Sequence, residues 1–87
     1  MAKYRNKPVV IEAIEFTRNN FQEIRDFTDF QAHSLTFERI NEGLCTCMIP
    51  TFEGDMIAEE GDFIIKGVIG FYPCKPYKFK ETYELVE

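Results

Sequence analysis

The chain has 87 residues, with 15 acidic and 10 basic side chains and a net charge of −5. That length accommodates one domain, whose single core buries roughly 60% of the unfolded surface, and it leaves no room for a second domain. The composition is 45% hydrophobic and 15% aromatic, which indicates a folded chain rather than a disordered one. The acidic excess disfavours binding to nucleic acid, because such binding depends on clustered Lys and Arg.

Cellular location is constrained by apolar runs and cysteines. No apolar run approaches the roughly 18 residues that would cross a bilayer, and the basic N-terminus lacks a following leader segment. Of the three cysteines, Cys45 and Cys47 are two residues apart, so in a strand they would lie about 7 Å apart, too far to form a disulfide. We therefore expect a cytoplasmic protein with reduced thiols and no membrane contact.

Residues 9–16 give the first strong secondary-structure signal. They are rich in β-branched side chains and apolar on both alternating faces apart from Glu12 and Glu15, which predicts the central strand of a sheet.

A helix is predicted to start after Asn20. The Asn20 side chain can accept a backbone N–H there, and Glu23 lies where it can reach back to complete a capping box. About ten residues should follow in helical conformation. The apolar stripe of this helix is predicted to contain Phe21, Ile24, Phe27 and either Phe30 or Thr28.

Two hairpins are predicted in the rest of the chain. Residues 35–40 and 44–49 alternate on either side of a turn at 41–43, and Pro50 is predicted to end the second strand because it has no N–H to donate. Turns at 53–55 and 59–62 bracket the short segment 56–58.

The second hairpin joins a strand at 63–66 to a returning strand at 71–72. Its turn runs from Gly67 to Gly70, either of which can take a positive φ. Pro76 is predicted at the first position of a helical turn, followed by a last strand at 82–86.

Together these elements predict one small α+β domain over residues 1–87. It contains a mixed, mostly antiparallel, twisted sheet with one α-helix packed on one face and a short C-terminal helical turn. The predicted core comprises Val10, Ile14, Phe16, Phe21, Ile24, Phe27, Leu35, Phe37, Ile64, Tyr72 and Phe79.

Catalytic chemistry has few candidates. Cys74 lies beside Lys75, whose ammonium could lower the thiol pKa, but no partner base is evident, so a cysteine-dependent enzyme is the least favoured hypothesis. Asp62 enters a strand after a glycine, and an Asx-type turn explains it better than catalysis does. A metal site would need His33 together with all three cysteines, without any paired-cysteine motif. The sequence therefore predicts no catalytic residue, no metal and no cofactor.

The last third of the chain interleaves lysines with aromatic residues. Aromatic rings beside cations can stack a base and contact a phosphate, although the same residues serve equally as core flanked by solvated lysines. The contrast with the acidic middle of the chain could also drive two-fold self-association. The candidate binding residues are Lys66, Tyr72, Cys74, Lys75, Tyr77 and Lys78.

Five segments resemble a family of small phage and prophage proteins of mostly unassigned function. The family pattern is Lys-Pro-Val-x-Ile-Glu-Ala, Thr-x-Glu-Gly, Gly-Asp-Tyr-Ile-Ile-x-Gly, Tyr-Pro-x-x-Pro-x-x-Phe and Thr-Tyr-Glu, matched here by residues 7–14, 51–54, 61–67, 72–79 and 82–84. The match does not cover residues 30–48. The chain departs from the pattern at Glu60, where a proline is usual, at Phe63, and in having no acid between Gly70 and Phe71.

The resemblance implies a gene carried by a bacterial virus, a protein in the cytoplasm of the bacterial host, and no catalytic residues to carry over. Our first hypothesis is a non-catalytic binding module that contacts a host or phage protein, with a homodimer as one arrangement. The alternative is a small-ligand or nucleotide binder that uses the six candidate residues as its rim.

Overall fold

Strands make up most of the fold. The computed structural model describes residues 2–6, 9–38 and 43–86, and over these residues the chain forms eight strands and two helices. In chain order they are β1 (Ala2–Asn6), β2 (Val9–Glu15), α1 (Phe21–Phe27), β3 (His33–Phe37), β4 (Cys45–Thr51), β5 (Gly54–Glu59), β6 (Phe63–Lys66), β7 (Phe71–Cys74), α2 (Pro76–Thr82) and β8 (Glu84–Val86).

The strands divide between two sheets. One has five strands in the order β7-β6-β2-β1-β8, and the other has three in the order β3-β4-β5. The strand pairs between described residues are antiparallel. The α+β class and the short C-terminal helix are thereby confirmed. No helix of the described chain is long and apolar enough to span a bilayer.

The predicted central strand, β2, is the middle strand of the larger sheet. Its side chains alternate between the two faces, so Ile14 packs against the cluster that contains Ile24 of α1. Ala13 points the other way and joins the cluster that contains Phe79 of α2. The helix α1 and the three-stranded sheet therefore cover one face of the larger sheet, and α2 covers the other.

The predicted core is partly right. Phe16, Ile24, Ile64 and Phe79 are buried, and Ile14, Phe21, Phe27 and Leu35 pack against the core. Val10, Phe37 and Tyr72 were predicted as core but are exposed, because they lie at strand ends or on the edge strand β7. The buried side chains that the sequence pattern did not single out are Ala13, Ala32, Cys45, Cys47, Ile49, Ala58, Phe63, Ile65 and Phe71.

Helix α1 starts where it was predicted to start, but the predicted cap is wrong. The Asn20 side chain makes no bond to the helix. It accepts the Thr17 N–H at 2.8 Å and donates to the Glu15 carbonyl at 2.7 Å, so it joins the end of β2 to the helix instead.

The helix is also shorter than predicted. The Thr28 hydroxyl donates to the Ile24 carbonyl at 2.8 Å and accepts the Ala32 N–H at 3.1 Å. Asp29 and Phe30 then take positive φ angles, which end the helix. Phe30 is consequently exposed, while Thr28 is buried.

Pro50 does not end its strand, contrary to the prediction. β4 runs through it to Thr51, and Pro50 lies opposite Asp55 of β5. Backbone groups of a central strand point alternately to its two neighbours, and those of Leu44 and Met48 point to β3. The nitrogen of Pro50 therefore faces the β3 side. The pairing of β3 with β4 ends at His33, before it reaches Pro50, so β3 has no carbonyl there that needs an N–H from Pro50.

Glycines close both hairpins that lead to the site described below. Gly54 at the β4–β5 turn and Gly70 at the β6–β7 turn have φ angles of +115° and +145°, which favour glycine. The earlier predicted turn at 41–43 lies mostly outside the described residues.

Asp62 is only 3% exposed and serves the fold. Its Oδ2 accepts the backbone N–H of Glu59 at 2.9 Å and the Nζ of Lys75 at 3.2 Å. The carboxylate therefore has the structural role that was predicted, but it accepts the N–H of a residue three positions earlier in the chain and does not form the predicted Asx-type turn.

Replacing Asp62 with Ala should lower the free energy of unfolding by about 2 kcal/mol, because the Glu59 N–H and the Lys75 ammonium both lose their acceptor. Asp62→Asn keeps an acceptor and should cost less. Urea denaturation measures both, with the exposed Asp55→Ala as control. A loss for Asp62→Ala no larger than the control loss would contradict this account.

Candidate functional site

The six candidate residues lie on both sides of the larger sheet. Lys66 is on β6, on the side of α1, and its Nζ lies 3.8 Å from Glu12 Oε1. Tyr77 and Lys78 belong to α2, which packs on the opposite side. The structure therefore does not bring the six residues together as one rim.

Lys75 has a structural role. Its Nζ lies 3.2 Å from Glu59 Oε1 and 3.2 Å from Asp62 Oδ2. Burial lowers the Lys75 pKa, but the hydrogen bonds to Asp62 and then Glu59 outweigh it, so the pKa is raised overall. The ammonium is held by two carboxylates and is not presented to a phosphate.

The aromatic residues of the last third mostly fill the core. Phe79 is buried and stacks on Phe63 with ring centroids 4.0 Å apart. Phe71 is buried against Phe27 at 5.7 Å. Burial and then a hydrogen bond to Tyr83 raise the pKa of Tyr72 to about 12. The phenylalanine rings therefore pack in the core, whereas Tyr72 and Tyr77 stay exposed.

Cys74 has the wrong environment for a nucleophile. Burial raises the pKa of its thiol, and the opposing effect of Lys78 is smaller. His33, the single imidazole of the sequence, lies on β3 in the other sheet, with Nε2 3.6 Å from Asp55 Oδ2. The thiol and the imidazole therefore lie in different sheets, and the imidazole pairs with Asp55.

Metal-binding residues are likewise dispersed. Cys45 and Cys47 are buried on one face of β4, where burial raises the pKa of Cys47 to about 12. Over the described residues, no three His, Cys, Asp or Glu side chains are placed to hold a metal ion together.

A different surface emerges at the two glycine-closed turns. We call it the turn surface, and it consists of Phe52 in the β4–β5 turn, Met56 on β5, and Val68 and Ile69 in the β6–β7 turn. Phe52 is 77% exposed, Ile69 is 69% exposed and Val68 is fully exposed. Contiguous exposed apolar side chains of this kind mark interaction sites.

The turn surface borders a groove of about 400 Å³, which we call the turn groove. Consecutive residues from Gly67 to Pro73 form one wall, and the other is built from Thr51, Phe52, Glu53 and Met56. Glu53 is the one charged residue of this described lining. Such a groove can bury apolar groups but carries no set of groups for acid–base or nucleophilic chemistry.

Hydrogen bonds hold both turns in place. The Gly67 N–H donates to the Gly70 carbonyl at 2.8 Å. The Thr51 hydroxyl donates to the Gly54 carbonyl at 2.6 Å and accepts the Glu53 N–H at 3.1 Å. The apolar side chains are thus presented on preformed turns, which reduces the entropy lost on binding.

Sequence reasoning missed the turn surface. Residues 67–70 were interpreted as a structural turn, and the candidate binding residues were placed at Lys66 and from Tyr72 onward. The available signal was the pair Val68 and Ile69 in the middle of a turn, where Gly, Asn, Asp and Ser are usual.

No protein-family model, curated protein or solved structure matches the chain. The resemblance to small phage and prophage proteins therefore stays a prediction.

Cys74 should react with iodoacetamide at neutral pH more slowly than an unperturbed thiol, because its raised pKa lowers the thiolate fraction. The rate should keep rising above pH 9. Buried Cys45 and Cys47 should react only after unfolding. Peptide mapping by mass spectrometry follows each site, and Cys74→Ser identifies the Cys74 signal. Fast alkylation of Cys74 that levels off below pH 8 would contradict this assignment.

Proposed function

We propose that this chain is a non-catalytic binding module that acts by protein–protein contact through the turn surface. The observation that carries the proposal is the placement of three exposed apolar side chains on two hydrogen-bonded turns, with Met56 of β5 as a fourth, around one groove. Covering a fully exposed Val, Ile, Phe or Met side chain contributes about 1.5–3 kcal/mol. A few such residues at the centre of a contact supply most of the affinity of many interfaces.

A non-enzymatic role is supported by the environments of the reactive side chains. The Cys74 thiol has a raised pKa, and His33 pairs with Asp55 in the other sheet. Neither group is positioned to activate the other, so a cysteine-dependent enzyme is disfavoured.

Nucleotide binding by Lys66, Tyr72, Cys74, Lys75, Tyr77 and Lys78 remains the second hypothesis, but its geometry is poor. The two carboxylates on Lys75 would compete with a phosphate. Lys66 lies across the sheet from Tyr77 and Lys78.

The setting that we propose is the cytoplasm of a bacterial host, with the chain encoded by a phage or prophage and the partner a host or phage protein. This part of the proposal rests on the resemblance in residues 7–14, 51–54, 61–67, 72–79 and 82–84. A net charge of −5 is consistent with a protein partner rather than nucleic acid.

Replacing Val68 with the photo-crosslinker p-benzoylphenylalanine should yield a discrete protein adduct when bacteria that produce the chain are irradiated. The side chain is fully exposed, so the substitution leaves the fold unchanged. Mass spectrometry identifies the adduct. Adding Phe52→Asp, on the facing turn, should reduce its yield because the charge opposes burial of the groove.

Tyr77 is the matched control. It is 70% exposed and lies on α2, away from both turns. The same crosslinker at Tyr77 should give no discrete adduct. Equal adducts at both positions, or none at Val68, would contradict the proposal. Stabilisation by a nucleotide, about 2.7 kcal/mol at a hundredfold excess over Kd, would favour the second hypothesis.

A further inference from the structure

The β6–β7 turn stands between two grooves. Besides the turn groove there is a groove of about 530 Å³ over the adjoining strands, which we call the strand groove. It shares Gly67, Val68 and Tyr72 with the turn groove. Its other lining residues come from β1, β2 and β6: Lys3, Val10, Ile11, Glu12 and Lys66.

The two grooves carry opposite charge. Glu53 supplies the charge of the turn groove. In the strand groove the strand register places Lys3 and Lys66 opposite Glu12 on its two neighbouring strands, so this groove has two lysines for one carboxylate. Among the described residues, neither the Glu53 carboxylate nor the Lys3 ammonium has an ion-pair partner.

An acidic groove and a basic groove on either side of an apolar tip form a self-complementary surface. A two-fold interface uses the same patch on both copies, so each copy must present both halves of every contact. An axis through the β6–β7 turn would bring Val68 and Ile69 of two copies together. It would also place Glu53 of each copy against the partner's Lys66 and the partner's Lys3.

We propose that the turn surface and the strand groove together form the interface of a two-fold homodimer. This inference rests on the proposed function and names the partner at the turn surface as a second copy of the chain. Because each copy carries a net charge of −5, two copies repel at long range. The lysines of the strand groove place positive charge where the partner's Glu53 arrives.

The size of the surface agrees with this arrangement. A stable interface covers about 800 Å² on each partner, and the monomer exposes 5950 Å², so on the order of one seventh of its surface must be covered. One groove alone provides too little surface for such an interface, whereas the two grooves together extend over β1, β2, β6 and both turns. A partner of a single charge sign would match only one of them.

The test is the oligomeric state of the purified full chain by sedimentation velocity between about 1 µM and about 1 mM, the range of typical weak to moderate Kd values. The wild-type chain should dimerise within this range. Val68→Asp should be monomeric throughout with an unchanged melting temperature, because Val68 has no contacts to lose in the monomer.

Charge reversal tests the proposed pairing. Glu53→Lys or Lys66→Glu alone should raise the Kd of the dimer about tenfold or more, because each contact occurs twice in a two-fold dimer. The double variant should restore the Kd to within about threefold of the wild-type value. If Lys66→Glu lowers the melting temperature because the new carboxylate repels Glu12, the variant Lys3→Glu is used instead in the same double-mutant cycle.

Matched controls are Glu81→Lys and Lys80→Glu, which make the same net charge changes on exposed positions of α2. They should leave the Kd within about threefold of the wild-type value. A wild-type chain that stays monomeric, or a double variant no better than the single ones, overturns the dimer. If the Val68 crosslink in cells then yields one other protein, the proposed function stands without the dimer; if it yields none, both fall.

Discussion

One short turn, residues 59–62, holds the two sheets together. Its backbone N–H groups donate to the carbonyls of Cys45 on β4 at 2.9 Å and of Phe16 after β2 at 2.7 Å, and the Phe16 N–H donates back to the turn at 2.8 Å. Lys75, just before α2, places its ammonium 3.2 Å from the carboxylates of Glu59 and Asp62 in this turn. Because four residues bond to three separate parts of the chain, the sheets and α2 keep one relative position.

The turn surface is a consequence of this junction. The strand β5 ends at the junction and β6 leaves it, so the hairpins that contain them both extend away from the same point. β5 has six residues and β6 has four, which at about 3.3 Å per residue places the two outer turns roughly 20 and 13 Å away. Both turns line one groove, and the apolar residues on them therefore meet although they are 12 or more positions apart in the sequence.

Local signals made some elements predictable and left others out of reach. β6 matches its predicted bounds because glycines lie on both sides of a short apolar run. The predictions for Pro50 and Asn20 were wrong because both depend on tertiary structure. For Pro50 it decides which side of the strand lacks a neighbour, and for Asn20 it decides which carbonyl the side-chain amide reaches. The contacts of the candidate binding residues were out of reach for the same reason, since Lys75 meets the Glu59 and Asp62 carboxylates only when β5 and α2 come together.

The stability of the monomer does not explain why an apolar residue stands at position 68. Val68 is fully exposed, so its side chain contributes no burial to folding. The turn would accept Gly, Asn or Asp with better local preference. An apolar side chain at such a position gains free energy only when another surface covers it. The rings of Phe63, Phe71 and Phe79 are already buried in the fold, whereas Phe52 and Ile69 share the exposure of Val68. Phe52, Val68 and Ile69 thus lie around one groove, beside the Glu53 carboxylate, which has no ion-pair partner among the described residues.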